Sequence, residues 1–178
     1  MLEGLGTWEF REANRRTAQI GELAELTEVD LLFLLDRVPA LPAQYPGAFT
    51  LEHRGHSIIW YNFESLVWTL GESFRRVLKR QRSLRRSVPL WSQVEALCLD
   101  SRYGKGRESF TMLLGQYGGL ARVPVLVRLL DDPAVHGHAL YALRLLGAPE
   151  GRDRAKQLLG SPKAWICREA RKYLAEVG

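Results

Sequence analysis

The sequence predicts an all-α protein, and two observations carry that prediction. Apolar residues recur at helical spacing along most of the chain, divided by Gly, Pro and cap residues. The C-terminal half also repeats itself. LLDDP at 129–133 recurs as LLGSP at 158–162, and each is followed by a second helical pattern: HGHALYALRLLG ending at Gly147 and CREARKYLAEVG ending at Gly178. A weaker copy starts at Arg107 as RESFTMLLGQYGG. Units of roughly thirty residues accommodate two short helices and two turns.

The elements follow in order. Thr7 is placed to cap a helix reaching about Leu26, with Phe10, Ala13, Thr17, Ile20 and Leu23/Ala24 facing inward. Thr27 caps a second helix carrying Val29, Leu32, Phe33 and Leu35, which Pro39 ends. Residues 39–62 are irregular, and FTLEH and HSIIWY around Arg54-Gly55 can pair as a hairpin. Asn62 then caps a long helix with Phe63, Leu66, Val67, Leu70, Phe74, Val77 and Leu78 on one stripe, broken at Ser87-Val88-Pro89. Leu90–Leu99 is another short helix. In the repeating half, Phe110, Leu113, Leu114 and Tyr117 form one helical face, ended by Gly118-Gly119, and Val123, Leu126, Val127 and Leu130 form the next. Asp132-Pro133 and Ser161-Pro162 both read as an N-cap with Pro at the first helical position. Behind them run the stripes Ala139, Ala142, Leu143, Leu146 and Ile166, Ala170, Tyr173, Leu174, Val177. The expected organisation is a helical N-terminal region over 1–100 and repeats over 101–178, joined as one continuous domain.

The pattern VPVLVRLLDDP at 123–133 followed by an alanine- and leucine-rich helix resembles HEAT repeats, over about residues 103–178. The usual Val-Arg at the start of the second helix reads Val135-His136 here, and Ala164-Trp165 in the last unit. The resemblance implies a short right-handed α-solenoid whose ordinary work is binding other macromolecules; the mostly helical N-terminal region is expected to pack as a cap on it or as atypical leading repeats.

Charge is unevenly spread. Net charge is +5, yet residues 1–74 hold eleven acids and five bases, residues 75–86 (RRVLKRQRSLRR) seven bases and no acid, and residues 101–178 thirteen bases and seven acids. Arg75, Lys79, Arg82 and Arg86 fall at i, i+4, i+7 and i+11, a basic stripe if one helix carries them all. Such a field suits an anionic partner. The competing reading pairs these arginines with the acid-rich 22–36 segment (Glu22, Glu25, Glu28, Asp30, Asp36) within the fold or between copies. The apolar runs are too short for a membrane span, no signal peptide is evident, and two cysteines (Cys98, Cys167) suit a reducing cytoplasm.

Catalytic and metal motifs fail on spacing. Gly104-Lys105-Gly106 resembles a phosphate loop, but Gly106 stands where Ser or Thr should follow the lysine, and Leu99 takes the place of the first glycine. His53/His56 and His136/His138 lack the i, i+4 spacing of a helical zinc pair and have no nearby cysteine. No metal and no cofactor are expected. Cys98 and Cys167 read as buried, inert thiols.

Two functional classes remain. The first is a non-catalytic, cytoplasmic module that binds a protein with an acidic surface; small proteins of the HEAT-like kind include immunity partners that neutralise secreted toxins. The second is nucleic-acid handling, as in HEAT-like alkylpurine DNA glycosylases, with Asp100 near Arg102, Lys105 and Arg107 as the candidate acid. In the family it resembles, the second helix of each unit lines the binding surface. Arg107, Arg144, Arg168 and Lys172 are therefore the expected contact residues, and Arg75, Lys79, Arg82 and Arg86 extend them.

Overall fold

The computed structural model describes residues 8–53 and 56–177, with backbone alone for 51–53 and 56–58. The protein is all-α; among the described residues, strand occurs only in one two-stranded hairpin. The chain divides into two compact units between Ser109 and Phe110.

In the first unit, α1 (Trp8–Ile20) lies along α4 (Asn62–Arg80). The Ser73 hydroxyl donates to the Thr17 carbonyl (2.7 Å), and the Thr69 hydroxyl to Asn14 Oδ1 (2.7 Å). The expected cap, Thr7, lies outside the described residues. The helix stops at Ile20, short of the expected Leu26, because Gly21 tightens into a turn (its N–H donates to Ala18 O). There a Cβ would stand only 3.1 Å from the Ser73 backbone.

Thr27 does cap α2 (Glu28–Asp36), in a reciprocal box with Asp30. The Thr27 hydroxyl accepts from the Asp30 amide, and the Asp30 carboxylate accepts from the Thr27 amide at 2.8 Å. The Thr27 hydroxyl, which also donates to Asp30 Oδ2 (2.7 Å), and then the Thr27 amide hold the Asp30 carboxyl below its usual range. The inward face is Leu31 and Leu35, whereas Val29 (72% exposed) and Phe33 (54%) point to solvent. The apolar residues of α2 are spread around the helix, so periodicity alone does not orient it.

A 3₁₀ turn (Val38–Ala40) and the short α3 (Leu41–Gln44) lead to β1 (Ala48–His53). It pairs antiparallel with β2 (His56–Tyr61), Phe49 opposite Trp60, so the hairpin forms; its turn residues Arg54 and Gly55 lie outside the described residues. Phe49 packs on Phe10 (centroids 5.7 Å apart). Tyr61, not Asn62, is the N-cap of α4, its amide bonded to the Glu64 carboxylate (3.4 Å).

The predicted α4 stripe is buried from Leu66 to Leu78, but the helix ends at Arg80, not at Ser87. Gln81 leaves the helical region (φ −100°, ψ 82°), and Arg82–Arg86 is a 3₁₀ segment. The physical reason is Arg85, which folds back and donates to the otherwise unpaired carbonyls of Leu78 (2.7 Å) and Lys79 (3.1 Å). Ser87 then caps α5 (Val88–Leu99), bonding the Leu90 amide at 3.0 Å, with Pro89 in the first turn. α5 packs on α2, and the Ser101–Arg107 turn packs on α4.

The helix α6 (Glu108–Tyr117) enters the second unit, followed by α7 (Val123–Leu129), α8 (His136–Leu146), α9 (Arg152–Leu158) and α10 (Ala164–Glu176). α7 packs against α8, α9 against α10, and α8 against α10. Phe110, Leu113, Leu126, Leu140, Leu143 and Tyr173 are fully buried. Gly147 ends α8 in the left-handed region (φ 65°), and the Ala148 amide returns to the Leu143 carbonyl. The Tyr173 hydroxyl pins the next loop, donating to Ala148 O and accepting from the Gly151 amide. Asp132 and Ser161 do not cap the helices themselves. Asp132 Oδ1 takes the Ala134 amide (2.9 Å) and Ser161 Oγ the Lys163 amide (3.3 Å), so each closes a turn and the helices start at His136 and Ala164.

Small residues set the closest approach. A Cβ at Gly115 would lie 2.5 Å from the Ala142 Cα, backbone against backbone. Gly115→Ala is therefore expected to destabilise by about 1–3 kcal/mol, since a packed helix contact has no flexible side chain to yield. An unchanged denaturant midpoint would show that α6 and α8 do not meet there.

Candidate partner interface

Of the seven bases at 75–86, four are engaged within the fold. Arg75 chelates Glu72 (2.5 and 3.0 Å); Arg76 bonds Glu22 (3.0 Å) and the Ala18 carbonyl; Arg80 bonds the Leu23 carbonyl (2.9 Å); Arg85 closes α4. Lys79, Arg82 and Arg86 are exposed and make no ion pair among the described residues. The expected stripe is thus corrected. Arg75 is turned onto Glu72, and the break at Gln81 puts Arg82 and Arg86 off the helix that carries Lys79. Toward the acid-rich 22–36 segment, Arg76 pairs with Glu22.

The four candidates from the repeating half separate in the same way. Arg107 is not a surface residue: it is 1% exposed and donates to the carbonyls of Gly104 (2.9 Å) and Cys98 (3.0 Å), tying the 101–107 turn to the end of α5. Arg144 is mostly buried and bonds Glu169 (2.5 Å) and Glu176 (2.7 Å), which hold its guanidinium charged against the cost of burial. Neither can meet a partner as expected. Arg168 and Lys172 are exposed on α10, with no ion pair among the described residues.

Two residues the sequence reading passed over join them. Arg171 is exposed beside Lys172, and Trp165, 38% exposed, stands at i−3 from Arg168 and i−7 from Lys172. One side of the Trp165 ring rests on α8: it lies 4.7 Å from the His138 ring and fills the space that a side chain at Gly137 would need. Helical spacing from Arg168 was the available signal. Burial, with Lys163 and His136 nearby, pushes His138 down to about 4, and burial also lowers His136, so both imidazoles are neutral at pH 7.

The other chemical candidates have structural partners. Asp100 caps the 101–107 turn and is chelated by Arg102 (2.5–3.0 Å), whose hydrogen bonds hold its carboxyl ionised below the usual range. The Gly104-Lys105-Gly106 loop closes on the buried Glu64: the Lys105 amide donates to Oε1 (3.2 Å), while its ammonium bonds the Ile59 carbonyl. Cys98 is buried, but Cys167 is only half-buried, its thiol donating to the Leu159 carbonyl. His53 and His56 oppose each other in the hairpin register. No group of three His, Cys, Asp or Glu among the described residues is placed to hold a metal, and no described helix is long and apolar enough to cross a membrane. Compared with family models, curated proteins and solved structures, the chain has no match in any of the three.

Proposed function

We propose that the chain is a non-catalytic, protein-binding module of HEAT-like helical pairs, and that the outward face of α10 engages a partner with an acidic surface. The observation that carries this reading is the sorting of charge on α10. Both acids, Glu169 and Glu176, turn to Arg144, while Arg168, Arg171 and Lys172 stay outside with Trp165. Tryptophan and arginine are enriched at the energetic centres of protein interfaces, and the charges speed encounter with an acidic surface. Pairing of α7 with α8 and α9 with α10 supports the repeat reading. Neutralising a toxin, the immunity-type role, requires such a surface and no catalytic group.

The test is capture by the full chain with and without nuclease, then affinity measurements on the protein captured. Arg168→Glu with Lys172→Glu is expected to weaken that complex at least tenfold and leave the unfolding midpoint unchanged, because exposed substitutions cost within about 0.5 kcal/mol. Arg144→Glu should instead lower stability, since it sets a third carboxylate against Glu169 and Glu176. Capture that disappears with nuclease, with duplex affinity falling by orders of magnitude between about 50 and 200 mM salt, would replace the protein partner by nucleic acid. A protein complex indifferent to the double substitution would remove α10 from the interface.

A further inference from the structure

The first unit contains a cleft of about 260 Å³ at the C-terminal ends of α2 and α5. Leu35, Val38, Pro39, Ala96 and Leu97 form its apolar walls. Its polar lining is Asp36, Gln93, Asp100, Arg102 and Tyr103. The volume sits just below the range of about 300–1,000 Å³ typical of small-molecule sites.

The state of each polar group defines what the cleft can take. Arg102 and Asp100 neutralise each other through three hydrogen bonds. Asp36 has no basic partner among the described residues: Oδ1 accepts from Gln93 Nε2 (2.9 Å), and Oδ2 accepts from none of them. Gln93 Oε1 is buried with no hydrogen-bond partner among the described residues, and the Tyr103 hydroxyl makes no hydrogen bond with them. The cleft therefore offers two unfilled acceptors, Gln93 Oε1 and Asp36 Oδ2, a Tyr103 hydroxyl able to accept or donate, and one surplus negative charge beside apolar walls. A buried acceptor without a donor is costly unless something supplies one.

We propose that this cleft binds a small primary amine carried on an apolar body. An alkylammonium brings three N–H donors, no acceptor and one positive charge, which complements that lining; its hydrocarbon would cover the apolar walls. A carboxylate on the same body would face Asp36 with like charge and donate nothing.

The experiment titrates the full chain with phenethylamine, phenylacetate and phenethyl alcohol, three ligands with one body and different heads, followed by amide NMR and calorimetry. Saturable binding of the amine is expected with Kd of about 1 mM or tighter, as suits a ligand this small. The alcohol and the carboxylate should bind at least tenfold more weakly. Asp36→Asn keeps an acceptor for Gln93 and lies at the surface, so it should leave the helical spectrum intact and weaken amine binding roughly tenfold. Ala96→Trp, also at an exposed position, should block the cleft and abolish binding. The proposal is overturned if the amine does not saturate by about 10 mM, which would leave water as the occupant. It is equally overturned if phenylacetate binds as well as phenethylamine, or if both substitutions leave amine binding unchanged.

Discussion

Leu143→Ala is expected to lower the unfolding free energy by about 2–5 kcal/mol. Leu143 is 0% exposed on α8, the helix that packs against both α7 and α10. Its Cδ1 reaches the Gly151 turn, where a built Cβ would approach it to 3.1 Å, and its carbonyl takes the Ala148 amide that ends α8. Truncation removes apolar burial and leaves a cavity that the surroundings cannot close. Tyr173 holds the 148–151 loop by two hydrogen bonds, and Ala139 and Ala142 have no reach to fill the space. For a domain of this size, a loss of that order moves the thermal midpoint by several degrees per kcal/mol. Denaturant titration checks it: a change under about 1 kcal/mol would place Leu143 outside the core.

Acidification should cost the second unit up to roughly 3 kcal/mol through His138 alone. Burial holds the folded imidazole near 4, whereas an unfolded histidine titrates near 6.5. Between those values the unfolded chain binds a proton that the folded chain refuses. Stability is therefore fully present above about pH 6.5, falls as pH drops toward 4, and loses nothing further from this group below that. Lys163 and His136 work in the same direction, because both disfavour a second positive charge beside them. His136, itself lowered, adds to the slope. Denaturant midpoints measured from pH 7 to pH 4.5 should decline in the wild type, and His138→Gln should flatten most of that decline. If the variant reproduces the wild-type slope, His138 is not the responsible group.

The elements that were legible in the sequence are those fixed by local pattern. The α4 stripe from Leu66 to Leu78, the Phe110–Leu113–Leu114 face, the left-handed Gly147 and the Thr27 box all follow from spacing or from one residue's conformational range. What failed depended on side-chain partners, near or far along the chain, that helical spacing does not register. Nothing near Arg80 announces a helix end, since Leu84 continues the apolar pattern; the end is made by Arg85 reaching back to two carbonyls. Arg107 and Arg168 both precede a glutamate and look alike in sequence, yet one is enclosed beside the Cys98 carbonyl and the other stands in solvent. Arg144 lost its availability to Glu169 and Glu176, twenty-five and thirty-two positions away. A count of seven bases in twelve residues therefore overstated the exposed field of the 75–86 segment.

The bond between Glu64 and the Lys105 amide makes the first unit depend on a short loop near its end. α4 carries its buried carboxylate from position 64, but the amide that receives it belongs to a loop synthesised forty-one residues later. Gly104 (φ 45°) has to be glycine for this closure, because a Cβ there would collide with the carboxylate oxygen at 1.8 Å. A Cβ at Gly106 would stand 2.7 Å from the Glu64 carbonyl oxygen. Without residues 104–106 that carboxylate lacks this donor. A fragment cut at residue 100 carries the same defect permanently, whereas one cut after Ser109 retains the clasp.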